Sequence, residues 1–336
     1  MPFLSEAPAI RFERPLFAVV LGNTLLSTVP GISGAGPSPE GSLLVPNLDA
    51  ELVTTGAITS VDATPNTATG CPTPAAVTRS VTAFAGLEPL FVNAGLAEAP
   101  TVPCLDVYGA PGRDPRAGPA VPDAERLVKA GRTIGRLLSP LADLLVLGEC
   151  VPGGTTTALC VLRALGYPAR TSSAFAANPT GLKEAVVRDV LARLAPLGPL
   201  SPIEVLREAG DPMLAVTVGI AEAYTGTLLL AGGTQQLAVA AVLHALEKPV
   251  PRVVTTVYVR DDASANFAEL AARVGADPLY VDPGFGELGH AGLARYCLGE
   301  VKEGTGAGGA LALAALLGHH PDAIREAVLA TARGYS

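Results

Sequence analysis

The 336 residues suffice for one large core plus a smaller appended region, and 49% of them are apolar, chiefly Ala, Leu and Val, with no Trp and 4% aromatics. Net charge is −8, from 23 Lys and Arg against 31 Asp and Glu, and no basic run interrupts the chain. That balance excludes a nucleic-acid partner and an anionic membrane surface.

In chain order, β-branched apolar segments predict strands at Phe17–Leu21, Ile58–Val61, Leu90–Val92, Leu144–Leu147, Leu228–Leu230 and Val253–Val259. Amphipathic or Ala-rich stretches of helical length lie between several of them: Asp123–Leu138, Thr156–Leu165, Leu182–Leu194 and Gln235–Leu246. Such alternation predicts an α/β fold, a doubly wound, mostly parallel Rossmann-like sheet. Residues 15–290 are expected to form the nucleotide-binding domain, with 1–14 and 291–336 making a smaller, mainly helical cap.

The apolar stretch Thr225–Leu246 is broken by Gly232, Gly233, Thr234, Gln235 and Gln236, so it reads as strand, loop and helix and not as a membrane span. With no secretory signal pattern at the N-terminus, the expected location is the cytoplasm. Five cysteines (Cys71, Cys104, Cys150, Cys160, Cys297) are dispersed, which fits reduced thiols. Neither they nor the four histidines show ligand spacing, so no metal and no cofactor is expected.

In doubly wound sheets ligands lie beyond the carboxyl ends of the strands. Here those ends carry Gly22-Asn23-Thr24, Asn93-Ala94-Gly95, Gly148 to Thr157 and Ala231-Gly232-Gly233-Thr234. Each Gly serves a tight turn on its own account; four such loops on one rim suit close backbone approach to a phosphorylated ligand. Near the C-terminus, Lys302-Glu303-Gly304-Thr305-Gly306 leads directly into an Ala/Leu helix. The unpaired N–H groups of a helix start attract anions. The spacing is neither a Walker A loop nor a dinucleotide fingerprint. Glu303 is therefore a candidate general base or, more plainly, a helix cap. Glu149, at the end of a buried strand, either faces a ligand or holds the N–H groups of its own loop. Asp211, in Gly210-Asp211-Pro212, opens another helix and fits an N-cap.

Taken together these segments resemble the nicotinate-nucleotide:dimethylbenzimidazole phosphoribosyltransferases. Gly148–Leu159 is similar to that family's Gly-Glu-Met-Gly-Ile-Gly-Asn-Thr-Thr, and Lys302–Leu313 to its Gly-Glu-Gly-Ser-Gly-Ala-Ala-Leu-Ala. Asn178-Pro179-Thr180-Gly181-Leu182, Gly210-Asp211-Pro212 and Gly289-His290 fall in register between them, and the likeness runs from about Phe17 to Gly318. The wording Gly-Glu-x-x-Pro-Gly-Gly-Thr-Thr-Thr-Ala and Pro72-Thr73-Pro74 resemble the divergent archaeal branch. Pro152-Gly153 and Ala231 depart from the typical enzymes, and the N-terminal third is least similar.

The resemblance implies a homodimer that takes nicotinate mononucleotide and a nitrogen-base acceptor without metal. It implies Glu303 as catalytic base and Glu149 as the glutamate of the first loop. Implied substrate contacts are Gly153, Gly154, Thr155, Thr156, Thr180, Gly181, Gly210, Asp211, Gly232, Gly233, Gly304, Thr305 and Gly306. Two other readings stay open: a nicotinate-mononucleotide-dependent transferase or nucleosidase with another acceptor, and a non-catalytic nucleotide-binding protein.

Overall fold

A computed structural model describes residues 2–335. Seven strands form one sheet: β1 Pro15–Gly22, β2 Leu90–Gly95, β3 Leu105–Asp106, β4 Leu144–Cys150, β5 Thr227–Ala231, β6 Arg252–Thr256 and β7 Leu279–Val281. Their order is β3-β2-β1-β4-β5-β6-β7 and every neighbouring pair is parallel, so the expected doubly wound sheet is met. The winding reverses between β1 and β4, which leaves a crevice beyond their carboxyl ends.

Alternation along each strand divides two cores. In β4, Leu145 and Leu147 enter one core while Leu144 and Val146 enter the other; in β1, Val20 and Val19 divide in the same way. The first core is covered by helices that include Ala124–Leu138, Gly154–Ala164, Pro212–Ala223 and Thr234–Ala245. Helices Ala124–Leu138 and Pro212–Ala223 touch backbone to backbone. A Cβ on Gly131 or Gly219 would fall 2.2 Å from the Val216 carbonyl or 2.0 Å from that of Val128.

The second core lies under Val45–Thr55, Pro74–Phe84, Ala307–Leu316 and Pro321–Gly334. Ala307–Leu316 sits flat on the sheet: a Cβ on Gly309 would come within 2.2 Å of Ala231 and 2.8 Å of Val146. The chain end after residue 290 thus contributes to the same core as β4 and β5.

Two expectations need correction. Ile58–Val61 forms no strand; the N–H groups of Thr59 and Ser60 are taken by the Glu51 carboxylate at 2.8 and 3.0 Å, not by a ladder. The strand from Val253 ends at Thr256, because Val257–Arg260 turns into a short helix. Strands β3 and β7, two and three residues long, add to those expected from the sequence. No helix among the described residues is long and apolar enough to cross a membrane.

Candidate active site

Glu149 and Glu303 come together beyond the carboxyl ends of the strands because two glycines let their segments touch. Gly148 of β4 lies against Gly306: a Cβ on Gly148 would stand 2.9 Å from the Gly306 Cα, and one on Gly306 3.0 Å from the Gly148 Cα. The two Gly/Glu motifs are back-to-back halves of one site.

Glu149 is the penultimate residue of β4 and is 2% exposed. Its Oε2 accepts a hydrogen bond from Gln235 Nε2 at 2.7 Å. Loss of hydration, and then the charges of Glu303 and Asp211, push its carboxyl well above the usual range. Gly232 leaves room for it, since a Cβ there would lie 3.3 Å from Glu149 Oε1.

Glu303 keeps a partly exposed surface, although protein atoms enclose its carboxylate. Oε1 accepts the Gly308 N–H at 3.0 Å, so the expected helix cap is realised. Oε2 accepts the Thr255 hydroxyl and the Thr256 N–H, each at 3.2 Å. Those donors favour the charged form, but burial outweighs them and raises the pKa to about 7. A carboxyl poised there can serve as a general base near neutral pH.

The loop around Glu303 is strained. Val301 (φ 50°), Lys302 (20°), Gly304 (144°), Thr305 (45°) and Gly306 (70°) all have positive φ. Held non-Gly residues of this kind cost roughly 1–3 kcal/mol each and collect at functional sites. Ties from other parts of the chain hold it: the Val301 N–H to the Ala174 carbonyl at 2.9 Å, Thr256 Oγ1 to the Lys302 carbonyl at 2.9 Å, and Thr78 Oγ1 to the Thr305 carbonyl at 3.1 Å.

The first loop opens a helix. Gly153 is its left-handed N-cap (φ 77°), and Gly154 is required because a Cβ would fall 1.8 Å from Gln235 Oε1. Thr155 stands at the start of that helix, while Thr156 is fully buried with no partner for its hydroxyl among the described residues. Thr157 donates to Asp211 Oδ2 at 2.6 Å. Asp211 is fully buried, caps its own helix through the Leu214 N–H at 3.1 Å, and is raised to about 6 by burial. It braces the first loop from behind. Gly210 is the residue that ends the preceding helix in extended conformation. Gly233 lies beside Glu303, with a Cβ there 3.9 Å from the Glu303 Cβ. Thr180 and Gly181 start the helix Thr180–Leu194 at the surface, with no hydrogen bond to either glutamate among the described residues. Asn23 and Asn93 fasten neighbouring loops, through the Ala97 N–H at 2.8 Å and the Leu96 N–H at 2.9 Å.

Sequence reasoning missed three parts. Gln235 reads in the sequence only as a helix residue, and no local signal ties it to Glu149. Asp49, on Val45–Thr55, accepts hydrogen bonds beside both glutamates. The loop Thr171–Phe175 is backed by two buried lysines: Lys183 Nζ donates to Thr171 Oγ1 at 3.2 Å and to the Ser172 carbonyl at 2.5 Å, and Lys302 Nζ to the Ser173 carbonyl at 2.8 Å. Burial, and then Lys302, lower Lys183 to about 7. No metal-holding group of His, Cys, Asp and Glu occurs among the described residues.

Two solved structures from Thermus thermophilus share this fold. CobT superposes with a TM-score of 0.62 at 20% identity, over 95% of this chain and 83% of that one. A nicotinate-nucleotide-dimethylbenzimidazole phosphoribosyltransferase gives 0.59 at 20% identity, over 94% and 82%. Sequence relatives are closer. The UPF0284 protein of Thermococcus gammatolerans is 44% identical over 320 residues, 93% of this chain and 96% of its own length. That of Pyrobaculum calidifontis is 46% identical over 320 residues, 92% and 94% of the two chains. Residues 60–284 match the family described as phosphoribosyltransferase, and the chain belongs to that family of pentosyl-transferring enzymes.

Proposed function

We propose that this enzyme moves ribose 5-phosphate from nicotinate mononucleotide to a benzimidazole-type base, releasing nicotinate and forming an α-ribazole-type phosphate. The observation that carries the reading is the pair Glu149 and Glu303, two enclosed carboxyls at one crevice beside a glycine-capped helix start. The donor brings a pyridinium cation, whose charge draws both carboxyls back toward ionisation.

A ring nitrogen of the acceptor attacks the anomeric carbon. The bond from that carbon to the pyridinium nitrogen breaks, and its electron pair neutralises the departing nicotinate ring. Glu303 accepts the proton from the acceptor's other nitrogen, so no cationic product accumulates. Glu149 stabilises positive charge that develops on the ribose. The phosphate lies between the helix start Gly153–Thr155 and the loop Thr171–Phe175. Lys183 and Lys302 turn several of that loop's carbonyls toward themselves. A turn whose carbonyls are fastened on one side suits an anion on the other; the charge of Lys302 itself is met by Asp262 at 3.4 Å. The family resemblance also carries a homodimer, for which light scattering should give twice the 33.9 kDa chain mass.

The test is mass spectrometry of products from nicotinate mononucleotide incubated with benzimidazoles, adenine, phenols or no acceptor, with and without EDTA. Free nicotinate together with a ribosylated benzimidazole phosphate is expected. Nicotinate with only free ribose phosphate would replace the reading by a nucleosidase. No nicotinate, with no thermal shift from millimolar donor, would overturn it.

A further inference from the structure

Asp49 belongs to the N-terminal third, the part least similar to the typical enzymes, yet one of its oxygens joins both acid-bearing segments. Asp49 Oδ2 accepts the Thr305 hydroxyl at 2.6 Å and the Cys150 thiol at 3.3 Å. Cys150 follows Glu149 directly, and Thr305 lies two residues after Glu303. The helix that carries Asp49 is itself anchored: Asn47 Nδ2 donates to the carbonyls of Glu98 and Ala99 at 3.3 and 3.2 Å, and Glu51 holds Thr59 and Ser60.

Thr305 needs such an anchor. Its backbone is in the left-handed region, which a β-branched residue leaves unless something holds it. Thr78 holds its carbonyl, and Asp49 is the hydrogen-bond partner of its side chain among the described residues. Relaxation of Thr305 would turn the Gly304–Gly306 segment and move the Glu303 carboxylate relative to Glu149, which stays in the sheet.

We propose that Asp49 is a positioning residue that sets the spacing of Glu149 and Glu303 by bracing Thr305 and Cys150. The proposal rests on the reading that both glutamates act in transfer. The brace needs an acceptor oxygen at this place and not a negative charge. Asn supplies that oxygen; Ala does not.

The experiment compares wild type with Asp49→Ala, Asp49→Asn, Thr305→Val and the double variant Asp49→Ala/Thr305→Val. Each is measured for kcat, donor KM and amide hydrogen exchange of residues 301–308. Asp49→Ala should lower kcat about tenfold or more, since misplacing a reacting group by ~1 Å costs up to ~10²-fold. Donor KM should stay within about twofold, and exchange at Gly304 and Gly308 should accelerate. Asp49→Asn should restore both readouts. Thr305→Val should reproduce most of the Asp49→Ala loss, and the double variant should be no worse than Asp49→Ala alone, because Asp49→Ala already removes the Thr305 tie along with that to Cys150.

Unchanged exchange and kcat in Asp49→Ala would overturn the proposal, as would additive losses or an Asp49→Asn variant as impaired as Asp49→Ala. Should Asp49→Ala fail to fold, Thr305→Val leaves the helix intact and carries the same comparison. If the wild type transfers nothing while the exchange pattern follows this order, the brace stands and the transferase reading fails.

Discussion

Glu149 occupies a regular strand, paired with Val20 of β1, and the sheet fixes its backbone. Glu303 occupies six residues with no ladder, five of them at positive φ, fastened by side chains from residues 49, 78 and 256. Both carboxyls are enclosed, but the first residue is fully buried with one side-chain donor, while the second keeps some exposed surface and its carboxylate accepts several donors. One acid is therefore placed by local geometry and the other by distant parts of the chain. The acid proposed to exchange a proton with substrate is the one on the irregular segment.

The largest effect that would break this comparison is on Glu303→Gln. Transfer should fall by ~10²–10⁴-fold with donor binding nearly unchanged, the usual worth of a positioned base. Its pH dependence sharpens the point. A base whose pKa is about 7 in the free enzyme works only when deprotonated, so the wild-type kcat/KM should rise with pH, level off above neutrality, and lose that limb in the variant. Near-normal turnover in Glu303→Gln would reduce the residue to the helix cap that its Gly308 bond already makes it.

A smaller loss, about 10²-fold, is expected for Glu149→Gln, which keeps the Gln235 contact but removes the charge opposite the ribose. Isothermal titration in buffers of differing ionisation enthalpy gives a second readout. The wild type should release protons when the donor's pyridinium ring binds beside the two acids, and Glu149→Gln should release fewer. The smallest effect is expected for Gly308→Ala, whose Cβ would stand 2.7 Å from Glu303 Oε2 and 3.1 Å from the Thr255 backbone. It should cost about tenfold in kcat through displacement of Glu303, against the ~10²-fold limit for ~1 Å of misplacement. An unchanged rate there would show that the Glu303 loop tolerates displacement.

How legible the site is in sequence follows the same contrast. Gly148–Thr157 and Lys302–Leu313 announce themselves because glycine, acid and helix start are neighbours in the chain. Asp49 and Gln235 do not, since their partners lie 256 and 86 residues away. β-branched apolar runs found the five longer strands; β3 and β7 offer two or three residues, too few to make such a run. Val257–Val259 reads as strand by composition, but burial of Val257 and Val259 is achieved by a helical turn instead.

The helix Ala307–Leu316 has a consequence for how the protein is made. It is apolar on every side, lies flat on β4, β5 and β6, and is encoded after all seven strands. A chain emerging in order from the N-terminus can assemble the whole sheet while one face still lacks this cover. Until residue 316 is available, Val146, Leu229 and Ala231 border an open apolar strip, and the segment bearing Glu303 has no helix to join. Maturation of the crevice and covering of the apolar strip on β4 and β5 are thus one event, late in synthesis. Before it, the nascent protein lacks the Glu303 half of the crevice and still exposes that strip.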